Sequence, residues 1–326
     1  KIAGIKKFGL VANYFGEQRF SMGNMDIGRM TGATSQAEQL VYRQKLSHEL
    51  AEEFAQASDC ENLLISSEHM QSRLSTRDQI ARLKEFLSTW VKDFKIVIYI
   101  RRQDRLALSR YSTVLKSGGA VSQFRFPDQE PGKLAYYNYY QLYKNWSDVF
   151  GQAAILMRIY DDNNPTENWL LEDFCSVTGL DIGDKSIPEP SNRSLNSKGS
   201  HFFQIANRIV PRLIDDELNP EHVRLVSEVS KLFSGKYFPV TRSEAEDFYR
   251  KFAVSNEQLR EEVFPDQQRL FDEDFSEYPE QLDDQNMVAE DALHVALELW
   301  RQRKTSVPRN NASIKKKLNR AWRNLF

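Results

Sequence analysis

Residues 95–111 read KIVIYIRRQDRLALSRY, and this segment decides the fold. The run Lys95–Ile100 is rich in β-branched residues and predicts a buried strand. Arg101 and Arg102 follow at its carboxyl end, and the apolar spacing after them predicts a helix over Asp104–Lys116. A strand that leads directly into a helix is typical of α/β proteins with a parallel sheet.

The same alternation continues on both sides of this segment. Short strands are predicted at Leu63–Ser66 and Ala153–Ile159. Amphipathic helices are predicted at Gln36–Ala57, Thr76–Val91, Lys133–Val149 and Pro165–Thr178. Alternating strands and helices over residues 60–180 predict a parallel sheet with right-handed crossovers.

Beyond Asp181 the pattern becomes wholly helical. Helices are predicted at about 200–217, 220–234, 242–263 and 285–304, with a short basic amphipathic helix at 314–326. Ser306-Val307-Pro308 predicts a linker before that last helix. We therefore expect an α/β nucleotide-binding core at 1–198, a helical part of the same domain at 199–304, and a basic tail at 305–326.

Charge and composition exclude several classes of protein. The 326 residues carry 44 Lys and Arg against 46 Asp and Glu, yet residues 301–326 contain nine of the basic residues and no acidic one. The rest of the chain is therefore acidic, which argues against nucleic-acid binding. No apolar run approaches the roughly 20 residues of a membrane span, so we expect no transmembrane segment and a cytoplasmic location. Cys60 and Cys175 indicate no disulfide framework, and the histidines show no metal-ligand spacing.

The carboxyl end of the strand Lys95–Ile100 is the first candidate binding site. In open α/β sheets ligands bind at the carboxyl ends of the strands, and arginines beside a helix N-terminus favour phosphate. Arg101 and Ser109, eight residues later, can converge on one phosphate group. The alternative interpretation is a buried strand with flanking surface arginines, and this segment alone favours neither.

The spacing of Tyr99, Arg101, Ser109 and Tyr111 resembles the 3′-phosphate-binding segment of sulfotransferases that use 3′-phosphoadenosine 5′-phosphosulfate (PAPS). Other segments, in the same order along the chain, resemble bacterial carbohydrate-type members of this family. They are LLISSEHM (63–70), YKNWSDVFGQAAILMRIYD (143–161), LLEDFCSVTGLD (170–181), PSNRSLNSKG (190–199), FYRKFAVSNEQLREEVF (248–264) and LFDEDFSEYP (270–279). The resemblance covers about 60–280 and implies a three-layer P-loop-type parallel sheet flanked by helices, with a helical C-terminal part.

The resemblance also implies an activity and its site residues. A sulfuryl group would move from PAPS to a hydroxyl of a carbohydrate or related acceptor, leaving adenosine 3′,5′-bisphosphate. Arg101 and Ser109 would hold the 3′-phosphate, and Arg193 would close over the nucleotide phosphates. Glu68, which leaves a predicted strand, is the expected general base, with His69 as the alternative. The competing interpretations are a capping or Arg-paired carboxylate for Glu68 and a solvated surface side chain for Arg193.

One part of the family pattern is not evident. The family carries a glycine-rich loop on its first strand, whose backbone amides and lysine hold the 5′-phosphosulfate. The candidate GRMTGATSQ (28–36) keeps Thr31-Gly32-Ala33-Thr34 but has Met30 in place of the lysine, so we expect the loop to precede Lys1. Two alternatives therefore stay open: a non-catalytic relative that binds a glycan or a partner, and another P-loop nucleotide-dependent transferase such as a kinase.

Two further features have both a functional and a structural interpretation. Lys116 stands before a Gly-Gly turn, where it either faces the sulfate or is a solvated lysine in the last helical turn. The aromatic residues of the predicted helix Lys133–Val149 either stack on a sugar acceptor or form core, and their helical spacing favours core. The sequence does not indicate an oligomeric state.

Overall fold

A computed structural model describes residues 2–4, 36–56, 62–66, 69–121, 123–127, 131–161, 168–181, 193–215, 217–282, 293–297 and 300. Within these ranges the protein is mixed α/β and mostly helical. The chain divides into two compact units that alternate along the sequence. Unit 1 comprises Lys1–Leu106, Phe126–Ser186 and Glu244–Phe275, and unit 2 comprises Ala107–Arg125, Ile187–Ser243 and Ser276–Phe326.

The described strands are short and the helices are of ordinary length. The strands are β1 (Ile2–Gly4), β2 (Asn62–Leu64), β3 (Ile96–Ile100), β4 (Ile155–Ile159), β5 (Leu213–Ile214) and β6 (Glu217–Leu218). The α-helices are α1 (Gln36–Gln56), α2 (His69–Arg73), α3 (Arg77–Leu87), α4 (Gln103–Lys116), α5 (Pro131–Leu134), α6 (Tyr139–Phe150), α7 (Trp169–Thr178), α8 (Ser197–Ile209), α9 (Pro220–Leu232), α10 (Arg242–Arg250) and α11 (Ala253–Val263). Of the helices in the described ranges, none is both long and apolar enough to cross a membrane.

The strands of unit 1 pair in parallel, as the sequence predicts. β1 pairs with β2, and β3 pairs with β4. The prediction of parallel strands in a mixed α/β fold is therefore confirmed. The expected single sheet with all three predicted strands is not seen among the described residues, because β2 is hydrogen-bonded to β1 rather than to β3 or β4. A three-layer sheet is thus not confirmed.

The β3–β4 pair has one face toward the core of unit 1 and a second face on the opposite side. Its register runs from Ile96 opposite Ile155 to Ile100 opposite Ile159. Because successive side chains of a strand point to opposite faces, these isoleucines share one face, which packs against the core of unit 1. Tyr99 and its neighbour Arg158 belong to the other face.

The core of unit 1 joins this sheet face to α3, α6 and α11. Ile100 is 1% exposed, and Tyr143 and Trp146 of α6 are 4% exposed. The core interpretation of the aromatic helix is therefore confirmed for these two aromatic residues. Tyr140, on the same helix, instead donates a hydrogen bond from its hydroxyl to Glu262 of α11 at 3.0 Å.

Several helix predictions have wrong boundaries, and the helix predicted at Thr76–Val91 is the shorter α3 (Arg77–Leu87). Lys133–Val149 is interrupted at Asn138, whose side chain caps α6 by accepting from the Gln141 amide at 2.9 Å. The helix predicted at 200–217 ends as α8 at Ile209, because Val210 precedes a proline and takes an extended conformation. An antiparallel hairpin, β5–β6, follows it. The helix predicted at 242–263 breaks between α10 and α11.

A buried ion pair fixes the connection from β3 to α4. Arg102 is 8% exposed and Asp104 is fully buried. The Nε and Nη2 atoms of Arg102 donate to the two carboxylate oxygens of Asp104 at 2.8 and 3.0 Å. Its Nη1 donates to the carbonyl oxygens of Asp272 and Asp274, each at 2.7 Å, and its guanidinium lies 3.9 Å from the ring centroid of Phe275. This one side chain therefore attaches the segment 272–275 to the end of β3.

A buried amide pair continues the same attachment. Gln103 donates to the Asn256 side-chain oxygen at 2.7 Å, and Asn256 donates back at 3.3 Å. Both side chains are buried, so each amide satisfies the other where water is excluded. The first turn of α4 is thus bound to α11.

We expect Asp104→Asn to destabilise unit 1 by about 3–5 kcal/mol, because it removes the carboxylate charge paired with the buried guanidinium of Arg102. Asp247→Asn is the matched control: its partner is Arg250, both side chains are more than half exposed, and the expected cost is at most about 1 kcal/mol. Urea unfolding followed by circular dichroism gives both values. Equal effects of the two variants would contradict the anchoring role of Asp104.

Candidate functional site

The carboxyl end of β3 presents Arg101 beside an aromatic ring. Strand alternation places Arg101 on the face opposite the buried Ile100. The amide of Tyr160 donates to the Ile100 carbonyl at 2.7 Å, which carries the parallel pairing one residue beyond β4. The guanidinium of Arg101 lies 5.3 Å from the centroid of the Tyr160 ring. Arg101 is half-buried, so its charge is partly shielded from water.

The backbone of Arg101 is held from the core side. Tyr139 is 2% exposed, and its hydroxyl donates to the Arg101 carbonyl at 2.6 Å. Burial raises the pKa of Tyr139 well above its usual value, which keeps this hydroxyl protonated and available as a donor. The Arg101 side chain therefore extends from a backbone position that packing and hydrogen bonding both determine.

A second aromatic ring adjoins the first. Trp169, the first residue of α7, has its ring centroid 5.3 Å from that of Tyr160. Arg101, Tyr160 and Trp169 together form what we call the Arg101 cluster, and all three are half-buried. A guanidinium binds phosphate by charge-assisted hydrogen bonds, and aromatic rings stack on planar rings. The Arg101 cluster therefore combines the two chemistries that a nucleotide needs.

Helix α7 is held on this face of the sheet by Asp173. The Tyr99 hydroxyl donates to Asp173 Oδ2 at 2.7 Å, and Arg158 Nε donates to the same oxygen at 3.0 Å. Arg158 Nη2 donates to the other carboxylate oxygen. These hydrogen bonds, chiefly those from Arg158, lower the pKa of Asp173, while burial and the nearby carboxylate raise the pKa of Tyr99.

Ser109 and Arg101 belong to different units. Helix α4 begins in unit 1 and continues into unit 2, where Ser109 is half-buried. The Ser109 carbonyl accepts from the Thr113 hydroxyl at 3.1 Å, an ordinary contact within the helix. Binding of one phosphate by Arg101 and Ser109 together stays a prediction.

Lys116 and Arg193 are brought together in unit 2. The Lys116 ammonium donates to the carbonyl oxygen of Arg193 at 3.0 Å, and burial lowers the pKa of Lys116. Two residues later, the amide of Leu195 donates to the hydroxyl of Ser112 at 3.1 Å. Helix α4 thus anchors the segment that enters α8, while the Arg193 side chain is exposed. The sequence offers no signal for this contact, because its acceptor is a backbone carbonyl 77 residues away.

The predicted base and loop are not placed by the structure. Glu68 lies outside the described residues, as do Met30 and the segment Thr31-Gly32-Ala33-Thr34. His69 is described by its backbone alone, as the first residue of α2. The catalytic role of Glu68 or His69 therefore stays a prediction.

Comparison with known proteins found a relative of unassigned function. A protein of Archaeoglobus fulgidus, described as an uncharacterized protein, is 29% identical over 194 residues. The match covers 57% of this chain and 50% of the relative, so the chain spans about half the length of the curated relative it matches. No protein-family model and no solved structure matches the chain.

Replacing Asp173 tests how α7 is held beside the Arg101 cluster. The folded state lowers the Asp173 pKa, so its stabilising contribution is complete above about pH 4 and is lost as the pH falls further. Arg158 is 42% exposed, so we expect Asp173→Asn to cost only about 1 kcal/mol at pH 7. Urea unfolding at pH 7 and pH 3 should show a smaller difference from wild type at pH 3.

Glu172→Gln is the matched control for this measurement, because Glu172 is an exposed neighbour on the same helix. It should change stability at pH 7 by less than about 0.5 kcal/mol. The result that would contradict the contribution of the Asp173 carboxylate is an equal difference at both pH values. The difference is that between the free energies of unfolding of wild type and Asp173→Asn.

Proposed function

We propose that this protein is a sulfotransferase that moves a sulfuryl group from PAPS to a hydroxyl of a carbohydrate or related acceptor. The observation that carries the proposal is the position of Arg101 at the carboxyl end of a parallel strand that leads directly into α4. Folds of this kind bind phosphate there. The ordered sequence resemblance over about 60–280 supports the same activity, and with it a P-loop-type three-layer sheet that includes β1–β4.

The Arg101 cluster is the proposed site for the adenosine 3′-phosphate end of the cofactor. Arg101 would pair with the phosphate, and the neighbouring ring of Tyr160 suits an aromatic base. Ser109 would donate its hydroxyl to the same phosphate. Arg193, whose side chain is exposed, would approach the nucleotide phosphates from the segment before α8.

The proposed chemistry needs an in-line transfer and a base. The acceptor hydroxyl would give its proton to Glu68, or to His69, as its oxygen attacks the sulfur. The new S–O bond forms while the bond from sulfur to the 5′-phosphate oxygen breaks. The products are the sulfate ester of the acceptor and adenosine 3′,5′-bisphosphate, with the proton left on the base.

A non-catalytic relative is the second candidate function. It would be favoured if GRMTGATSQ (28–36), in which Met30 replaces the lysine, were the family loop, rather than a loop that precedes Lys1. Such a protein would bind a glycan or a protein partner and would transfer no sulfuryl group.

Calorimetric titration of the full encoded chain with adenosine 3′,5′-bisphosphate tests the cofactor. We expect Arg101→Ala to weaken binding by about 10- to 100-fold, because a charge-assisted contact worth about 1.5–3 kcal/mol is lost. Arg110→Ala is the matched control, since Arg110 is an exposed arginine on α4, and it should change binding by less than about threefold. Absence of binding by the wild-type chain would remove the cofactor assignment, and binding of ATP instead would favour a kinase.

Replacement of the base separates catalysis from binding. Glu68→Gln should leave binding of adenosine 3′,5′-bisphosphate within about twofold and lower turnover by about 10²–10⁴-fold, since a general base contributes that much. The measurement is transfer of labelled sulfate from PAPS to a panel of sugars. Full activity in this variant would shift the role to His69, and nucleotide binding without transfer in the wild type would favour the non-catalytic relative.

A further inference from the structure

Within the described residues of unit 2, the buried side-chain atoms without a hydrogen-bond partner include Ser230 Oγ and two atoms that lie beside the end of α4. The first is Nε2 of His222, a residue of the first turn of α9 that is 3% exposed. The second is Oδ1 of Asn207, on α8, which is 7% exposed. The amide nitrogen of Asn207 is fully used, because it donates to the carbonyls of Leu115 and Gly119 at 2.8 and 2.9 Å. An unpaired buried polar atom is costly, so both atoms require an explanation.

Both residues pack against the turn that ends α4. Gly118 takes a φ of +84°, and a Cβ at that position would lie 3.5 Å from Nε2 of His222 and 2.7 Å from Cβ of Arg212. Arg212 also donates from Nη1 to the Ser117 carbonyl at 3.3 Å. The α4 turn, residues 117–119, is therefore held by α8, by the start of α9 and by the segment before β5.

The charges around His222 make protonation unfavourable. Burial lowers its pKa first, and the positive charge of Arg212 lowers it further. From α4, the charge of Lys116 is directed to the Arg193 carbonyl, to which its ammonium donates. From α8, Phe203, whose ring centroid lies 6.4 Å from that of His222, and Asn207 are both uncharged. On its own helix, the preceding residue is Glu221, which is exposed to solvent.

We propose that His222 is an acid-sensitive latch on the α4 turn. Neutral imidazole fits the closed packing against Gly118. Protonated imidazole places a second positive charge beside Arg212 in a buried position where Nε2–H has no acceptor, and this favours separation of α9 from the α4 turn. The inference concerns unit 2 alone and is independent of the proposed activity.

The direction of the pH effect follows from linkage. An unfolded histidine has a pKa of about 6.5, and the folded value is lower. The contribution of neutral His222 to the stability of the closed packing is therefore complete above about pH 6.5. It decreases as the pH falls toward the pKa of His222 in the folded protein. Between these two pKa values, the equilibrium constant for separation of α9 from the α4 turn rises by up to about tenfold for each unit by which the pH falls.

Hydrogen exchange of the full chain at pH 7.5 and 5.5, corrected for intrinsic exchange rates, tests the latch. We expect protection of residues 115–119 and 220–225 to fall by about 3- to 10-fold in wild type. His222→Gln, which cannot be protonated, should show little change. His48→Gln is the control, because His48 is an exposed histidine on α1 paired with Glu52, and it should behave as wild type.

Arg212→Gln provides a second variant that keeps His222 in place. Removing the neighbouring charge raises the folded pKa of His222 toward its usual value, so the loss of protection should be smaller than in wild type. Unchanged protection in wild type, or an equal loss in wild type and His222→Gln, would overturn the proposal. If His222→Gln does not fold, the Arg212→Gln variant decides alone. A loss of hydrogen-exchange protection in Arg212→Gln as large as in wild type would then overturn the proposal.

Discussion

The buried ion pair of Arg102 and Asp104 is the constraint on which much of unit 1 depends. A charge removed from water must be paired and fully hydrogen-bonded, and the Arg102 guanidinium achieves this with a carboxylate, two backbone carbonyls and the face of an aromatic ring. Because its carbonyl partners, Asp272 and Asp274, lie about 170 residues further along the chain, the pair joins segments that are distant in sequence. It also commits one of two adjacent arginines to the interior.

The inward direction of Arg102 leaves Arg101, which is half-buried, as the arginine proposed to bind the nucleotide. Neighbouring residues of an extended chain point in opposite directions, so an inward Arg102 requires a different direction for Arg101. The Tyr139 hydroxyl fixes the Arg101 backbone, and Asp173 fixes the helix that supplies Trp169. If Arg101 binds the nucleotide as proposed, a backbone held in this way would lose little freedom on binding, which favours affinity.

The two ends of α4 are held by different chemistry. In unit 1 its first turn is bound by a complete set of buried partners around Asp104 and Gln103. In unit 2 its last turn is packed against buried polar atoms that lack partners, at His222 and Asn207. A fully satisfied polar network is rigid, whereas an incompletely satisfied one is the place where a change of charge has the largest effect.

The sequence by itself determined the local elements: the apolar run of β3, the period of α4, the parallel pairing of β3 with β4, and the cap and proline that begin α9 at Asn219. These follow from side-chain periodicity and backbone sterics, which neighbouring residues supply. Only the tertiary structure decided that Arg102 points inward and that Lys116 binds the Arg193 carbonyl. The reason is physical: a buried polar group takes whichever partner packing brings to it, and that partner lies far along the chain.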